Sequence, residues 1–461
     1  MSSFTPFEEK MTAAGISTAA IKAFNRCYSS LVANESGMIS EDSISPADNV
    51  AEWDEIIATT APADKDLIAQ CVCIKLNGGL GTSMGLQKAK SLLKVKGEDT
   101  FLDLIVKQVK HLREVSGTPV RLLLMNSFST SADTLDYLKK YAADGFADAN
   151  QVELMQNRVP KIAADTLTPA EYAPQPELEW CPPGHGDLYP ALLGSGWLDK
   201  LLADGVKYAF ISNSDNLGAQ LDMKFLRWFA ESCAPFVMEV TRRTEADKKG
   251  GHLAVRNSDN QLILREVAQC PDEDIPEFQN IAKHRYFNTN TLWIRLDALK
   301  EILDSNGGVL PLPMIRNSKT VNPRDGESTK VFQLETAMGA GIECFPGARA
   351  VNVPRTRFFP VKTCSDLLML RSDAVQVDAT GKVALAPERN GVAPIIDLDS
   401  KLYKLVDSLD GLGLPSLIGV TKLTLRGKFH FADGAILQGE LLMENPDDAT
   451  KEVAPGVYAG A

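Results

Sequence analysis

The amino-acid sequence predicts a doubly wound α/β domain, preceded by a small helical region and followed by a β-rich tail. Three observations carry that reading. Short apolar runs at Cys71–Leu76, Val120–Met125 and Tyr208–Ser212 each stop at a polar turn, as buried parallel strands do. After Thr100, Phe101, Ile105, Val109 and Leu112 fall at helical spacing. Far downstream, Leu423, Leu425, Phe429 and Phe431 alternate with Thr424, Arg426, Lys428 and His430 among spaced glycines, a pattern of short strands.

Taken in order, Ile16, Ala20, Phe24 and Cys27 share one helical face and suggest a helical layer or arm. The segment Ile39 to Ala51, ISEDSISPADNVA, is acidic and turn-rich and reads as a linker into Trp53. The first strand ends at Asn77-Gly78-Gly79. Thr100 and Asp103 then form a capping-box-like helix start. The second strand ends at Asn126-Ser127 and the third at Asn213-Ser214-Asp215-Asn216. Ligands of such sheets sit outside the carboxyl ends of the strands, so these three turns mark the expected site. Residues 376–400 carry Asp, Pro, Gly and Asn and read as a boundary, beyond which a small β-solenoid or meander is expected. The predicted division is a helical region 1–55, a central α/β domain 56–375 and a β domain 376–461.

Composition narrows the function. Hydrophobic residues make up 44% and charged residues 23%, which excludes a disordered, collagen-like or disulfide-scaffold chain. With 48 Lys+Arg against 60 Asp+Glu the net charge is -12, which argues against nucleic acid or an anionic membrane as the main partner. The eight cysteines form no paired CxxC units and the five histidines no HExxH spacing. Met1 to Lys10 contains Glu8 and Glu9 and no apolar core of a leader, and no run approaches the length of a membrane span. A reduced, soluble, cytoplasmic protein is expected.

Five segments could carry chemistry. Lys75 to Gly85 is a glycine-dense turn after a buried strand, either a loop whose backbone N–H groups meet phosphate or a tight turn without a ligand. Its spacing matches neither a dinucleotide fingerprint nor a P-loop. Cys181 to Asp187 stiffens the approach to His185 with two prolines; the histidine either meets a ligand oxygen or bonds its own backbone. Asp215 is placed to hold a Mg²⁺ that bridges phosphates, or it belongs to an Asx-turn. Pro354 to Asp366 concentrates Arg355, Arg357 and Lys362 in an acidic chain, which suits polyphosphate or a solvated patch. Asn288-Thr289-Asn290 offers groups that hydrogen-bond sugar hydroxyls, or forms a polar turn before the strand Leu292–Ile294.

At these residues the chain resembles the eukaryotic-type UTP–glucose-1-phosphate uridylyltransferase (UDP-glucose pyrophosphorylase) family. The matching motifs are KLNGGLGTSMG from Lys75, MNSF from Met125, PPGHGDLYP from Pro182 and NSDNLGA from Asn213. ADKKGG from Ala246, FNTNTLW from Phe287, FQLETAMGA from Phe332 and NVPRTRFFPVKTCSDLL from Asn352 follow in order. Several long motifs in sequence are far more specific than a lone glycine loop.

The resemblance implies a nucleotide-diphospho-sugar transferase (Rossmann-like) domain and a C-terminal left-handed β-helix. It implies reversible formation of UDP-glucose and pyrophosphate from UTP and glucose 1-phosphate, with Mg²⁺. By the same resemblance, Leu76, Asn77, Gly78 and Gly79 contact base and phosphates, Lys90 the triphosphate, and Gln156 the uracil. Gly184 and His185 correspond to nucleotide and sugar-phosphate contacts. Asn213, Ser214 and Asp215 correspond to ribose, sugar-phosphate and metal contacts. Asn288 and Asn290 should face the hexose, and Lys362 corresponds to the catalytic lysine. Lys88-Ala89 stand before Lys90 where the family usually has Gly-Pro, and the chain lacks the further strand found in relatives that assemble end to end. A monomer or small homo-oligomer is therefore expected. The rival readings are a UDP-sugar pyrophosphorylase of broader specificity, whose loop usually reads Ala-Gly-Gly-Gln-Gly, and a catalytically silent nucleotide-sugar-binding regulator.

Overall fold

A computed structural model describes residues 3–460. Eight strands form the spine of the central sheet: β1 (Ala51–Glu52), β2 (Cys71–Asn77), β3 (Arg121–Asn126), β4 (Glu153–Met155), β5 (Tyr208–Asn213), β6 (Phe236–Arg242), β7 (Tyr286–Arg295) and β8 (Arg349–Asn352). Their spatial order is β1-β8-β6-β7-β5-β2-β3-β4. β5, β2, β3 and β4 run parallel, as do β6, β8 and β1, while β7 is antiparallel to both β5 and β6. The architecture is a mixed α/β fold around a large, parallel-rich sheet.

Side-chain alternation explains why the sheet is covered on both faces. Cys71, Cys73, Leu122, Leu124 and Phe210 point into one core, and Val72, Ile74, Leu123, Met125, Ala209 and Ile211 into the other. The helix Phe101–Ser116 lies on the first face and carries the capping box expected at Thr100 and Asp103. It ends at Gly117, which adopts a left-handed conformation.

The segment predicted to be a linker is not one. Ile44–Pro46 pairs with His252–Arg256, and Ala51–Glu52 forms the sheet edge beside β8. Glu41 meets Arg265 at 2.6 Å, Lys283 at 2.8 Å and His284 at 2.8 Å. Burial pushes its carboxyl up, but hydrogen bonds from Lys283, His284 and Arg265 outweigh it and leave it at about 2. These partners lie more than two hundred residues downstream, so no local pattern announces them. The helices Thr5–Ala13 and Thr18–Val32 pack Phe7, Phe24 and Tyr28 against Val159, Ile162 and Leu334 of the central region.

The tail is also continuous with the centre. The predicted boundary at 375/376 falls inside the paired strands Val375–Val377 and Val383–Leu385. Leu423, Leu425, Phe429 and Phe431 are buried in the same core as Phe101 and Phe210. Ile395–Leu398, Ser416–Arg426, Ala435–Glu444 and Gly456–Ala459 stack in parallel, and Phe429–Phe431 pairs in parallel with Lys451–Val453. The parallel pairing differs from the antiparallel pairing of a meander. Among the described residues, no helix is long and apolar enough to cross a membrane.

Candidate active site

The carboxyl ends of β5, β2 and β3 lie side by side, with Asn213 paired to Leu76 and Asn77 to Asn126. Beyond them many of the predicted residues are linked, through contacts and chain neighbours, into a closed ring. Ser127 donates to the Gly78 carbonyl at 2.8 Å, and a Cβ on Gly78 would sit only 2.7 Å from Gln156 Oε1. A side chain at position 78 would push the Gln156 amide away from the loop. Gln156 Nε2 donates to the Gly184 carbonyl at 3.0 Å. Gly184 holds φ 79° where a Cβ would lie 2.5 Å from the Thr336 carbonyl oxygen, so glycine is required there for both reasons.

His185 follows. Its Nδ1 accepts from the Met338 N–H at 3.0 Å, which puts the proton of the neutral ring on Nε2. Burial lowers its pKa to about 4, so at neutral pH it is an uncharged donor. Next to Met338, a Cβ on Gly339 would lie 2.9 Å from Asn288 Nδ2. Asn288 donates to Asn290 Oδ1 at 3.0 Å and accepts from the Asn290 N–H at 2.9 Å. Both asparagines lie inside β7, not in a turn before it, where the register shifts opposite Glu239 and Val240 and Asn290 takes φ 54°. Such a bulge re-aims side chains at a site.

Beside Asn288, the Phe287 ring lies 5.9 Å from the Lys362 ammonium. Lys362 precedes the helix Cys364–Arg371, whose Asp366 carboxylate accepts from the Lys362 and Thr363 N–H groups at 2.9 and 2.8 Å. The preceding residue, Val361, donates its N–H to the Asp215 carbonyl at 3.3 Å, and its own carbonyl accepts from Lys90 Nζ. Lys90 also meets Asp215 Oδ2 at 2.6 Å, and its N–H donates to the Gly79 carbonyl at 3.0 Å. That contact closes the ring at the glycine loop.

Not every predicted cation joins it. Arg357 is buried, forms a bidentate pair with Glu239 at 2.7 and 2.8 Å and stacks over Trp53. Arg355 pairs with Asp247 and donates to Thr244 Oγ1. Two of the three cations expected to form a cluster are thus neutralised internally, and Lys362 alone joins the ring. Asn77 is also pinned: it is buried, and its Nδ2 donates to Asn126 Oδ1 at 2.7 Å and Thr134 Oγ1 at 3.0 Å. Ser214 is buried, and its N–H donates to the Leu76 carbonyl at 3.1 Å.

Two carboxylates escaped the sequence reading. Glu266 lies against Gly251; burial raises its pKa while the nearby Lys362 lowers it. Asp187 is buried at the end of the His185 turn. The motif containing Asp187 was visible, but a carboxylate's burial is not a local property.

Asp215 is the residue that fits a divalent cation. Its Oδ1 is buried without a hydrogen-bond partner while Oδ2 is held by Lys90. Among the described residues no group of three or more His, Cys, Asp or Glu is arranged to hold a metal. A cation here would draw its other ligands from substrate oxygens and water, as Mg²⁺ at phosphate sites does.

Residues 21–438 match the family model described as UTP–glucose-1-phosphate uridylyltransferase. The enzyme of that name from Saccharomyces cerevisiae is 41% identical over 424 residues, covering 88% of this chain and 82% of its own. The Solanum tuberosum enzyme is 39% identical over 419 residues, covering 90% and 84%. A variant of UDP-glucose pyrophosphorylase from Leishmania major, solved in complex with UDP-glucose, superposes with a TM-score of 0.92 at 43% identity and covers 100% of both chains.

Proposed function

The chain belongs to the UTP–glucose-1-phosphate uridylyltransferase family, and we propose that it joins UTP and glucose 1-phosphate to form UDP-glucose and pyrophosphate. The observation that carries the proposal is the ring of contacts from Gly78 through Gln156, His185, Asn288, Lys362 and Asp215 to Lys90. A phosphate oxygen of glucose 1-phosphate attacks the α-phosphorus of UTP in line. A P–O bond forms there as the bond to the β-phosphate oxygen breaks and pyrophosphate leaves. Both reactants are anions, so the protein's task is positioning and neutralisation rather than covalent catalysis.

In this reading Gln156 accepts from uracil N3–H, the glycine loop and His185 donate to the nucleotide and sugar phosphate, and Asn288 and Asn290 hold hexose hydroxyls. Asn213 lies toward the ribose. Lys90 leaves Asp215 to meet the triphosphate, and Lys362 stabilises charge on the α-phosphoryl oxygens. Asp215 would hold Mg²⁺, which when bound supplies further neutralisation between the phosphates.

We further propose a left-handed β-helix for the parallel tail, and a cytoplasmic monomer or small homo-oligomer. The activity is tested by measuring pyrophosphate release with UTP and a panel of sugar 1-phosphates. Release with glucose 1-phosphate well above other sugars is expected. Equal release across the panel would point to broad specificity, and silence with every sugar would remove the enzymatic reading.

A further inference from the structure

We infer that Asp187 is a positioning residue for base recognition, holding Gln156 in the amide orientation that reads uracil; the inference rests on the proposed role of Gln156. Among the described residues, every hydrogen bond to the Asp187 carboxylate comes from the residue after Gln156. The Asn157 N–H donates to Oδ2 at 2.6 Å, and Asn157 Nδ2 lies 3.1 Å from each oxygen. One residue earlier, Gln156 Nε2 donates to the Gly184 carbonyl at 3.0 Å. Two neighbouring donors on one strand end thus meet two acceptors on one turn, Gly184 and Asp187.

The geometry selects one amide orientation. The Gly184 carbonyl can only accept, so the amino end of Gln156 must face it. Oε1 is then the group on the side of Gly78, next to the glycine loop. There it can accept from a base N3–H, which uracil has and cytosine lacks. The turn itself is braced from behind, where the Gly186 N–H donates to the Thr336 carbonyl at 2.8 Å and the Thr336 N–H to the Pro183 carbonyl at 3.0 Å.

A purely structural account of Asp187 is weaker. It precedes the helix Leu188–Gly194, yet its side chain caps no N–H of that helix. It is buried, has no cationic partner among the described residues, and burial pushes its carboxyl up to about 7 despite the bonds from Asn157. A lone buried carboxylate is a costly way to hold a turn that an amide could hold. In its ionised form the side chain accepts at both oxygens and carries no donor, which an amide cannot do, so Asn157 is held from flipping and Gln156 keeps its register.

The test uses the full-length enzyme and measures kcat/KM for UTP and CTP together with KM for glucose 1-phosphate. Asp187→Asn keeps the shape but turns a donor toward Asn157. The UTP-over-CTP preference should fall by ~10-fold, the scale of one mispaired buried group, mainly through KM for UTP. KM for glucose 1-phosphate should not change. Adding Gln156→Ala to Asp187→Asn should lower the preference no further than Gln156→Ala alone. If Gln156→Ala destroys the preference and Asp187→Asn leaves it intact, the positioning role is overturned and the base-reading role survives. If Gln156→Ala itself leaves the preference intact, the underlying reading falls and the inference with it. Should Asp187→Asn fail to fold, Asn157→Ala removes the side-chain bonds and is judged by the same ratio.

Discussion

From Gly78 to His185 the ring presents backbone groups, an amide and an uncharged imidazole, whereas from Lys90 to Lys362 it presents ammonium groups and a carboxylate. The first arc is held by bonds to carbonyl oxygens and by glycines that admit close approach. The second is held by an ion pair and by a helix start that fixes the Lys362 backbone. Directional, uncharged groups discriminate by shape and donor pattern, while charges stabilise a developing anion whatever its base. Under the proposed function, the difference assigns choice of nucleotide to the first arc and speed of reaction to the second.

The largest effect should come from a cation that belongs to neither arc. Arg357→Met strands the fully buried Glu239 carboxylate and should lower unfolding free energy by ~3–5 kcal/mol in urea titration. The folded fraction should keep a near-normal kcat, and a collapsed kcat there would erase the distinction between structural and reactive cations. Lys362→Ala should lower kcat by ~10²-fold, with a smaller change in KM, and Lys362→Arg should recover little. A broad guanidinium fork does not replace a compact ammonium at a crowded phosphoryl group. Steady-state assays of both variants sharpen the charged arc or remove Lys362 from it.

Gln156→Ala should reduce the UTP-over-CTP preference by ~10-fold while leaving the rate with saturating UTP within a few fold. The smallest effect is in stability. His185 has its pKa lowered by burial from 6.5 to about 4, so the unfolded chain binds its proton first as pH falls. Its stability contribution is therefore present above 6.5 and is lost as pH drops toward 4. Denaturant melts of His185→Gln should show that part of the acid-side loss removed; an unchanged slope would mean that the imidazole is not shielded.

Much of the framework was legible because its causes are local. The strands at Cys71, Val120 and Tyr208 follow from apolar runs ending at polar turns, and the Thr100 cap from residues three apart. The glycine loop and the His185 turn stand out from their residues and Gln156 from the resemblance, and they meet as contacts in the fold. What was not legible is nonlocal. Arg357 and Arg355 find Glu239 and Asp247 across 118 and 108 residues, so they read as a free cationic patch in the sequence. Asn288 and Asn290 look like a turn because two asparagines break the strand pattern; the bulge exists only against β6. Residues 39–51 look like a linker because their partners are strands and charges far downstream.

The division of labour is tested most directly by the ratio of kcat/KM for UTP to that for CTP in Lys362→Ala. The expected result is a rate reduced by ~10²-fold with the ratio unchanged from the parent enzyme. A ratio that collapses together with the rate would show that one set of residues both selects the base and drives the reaction, contradicting the two-arc account.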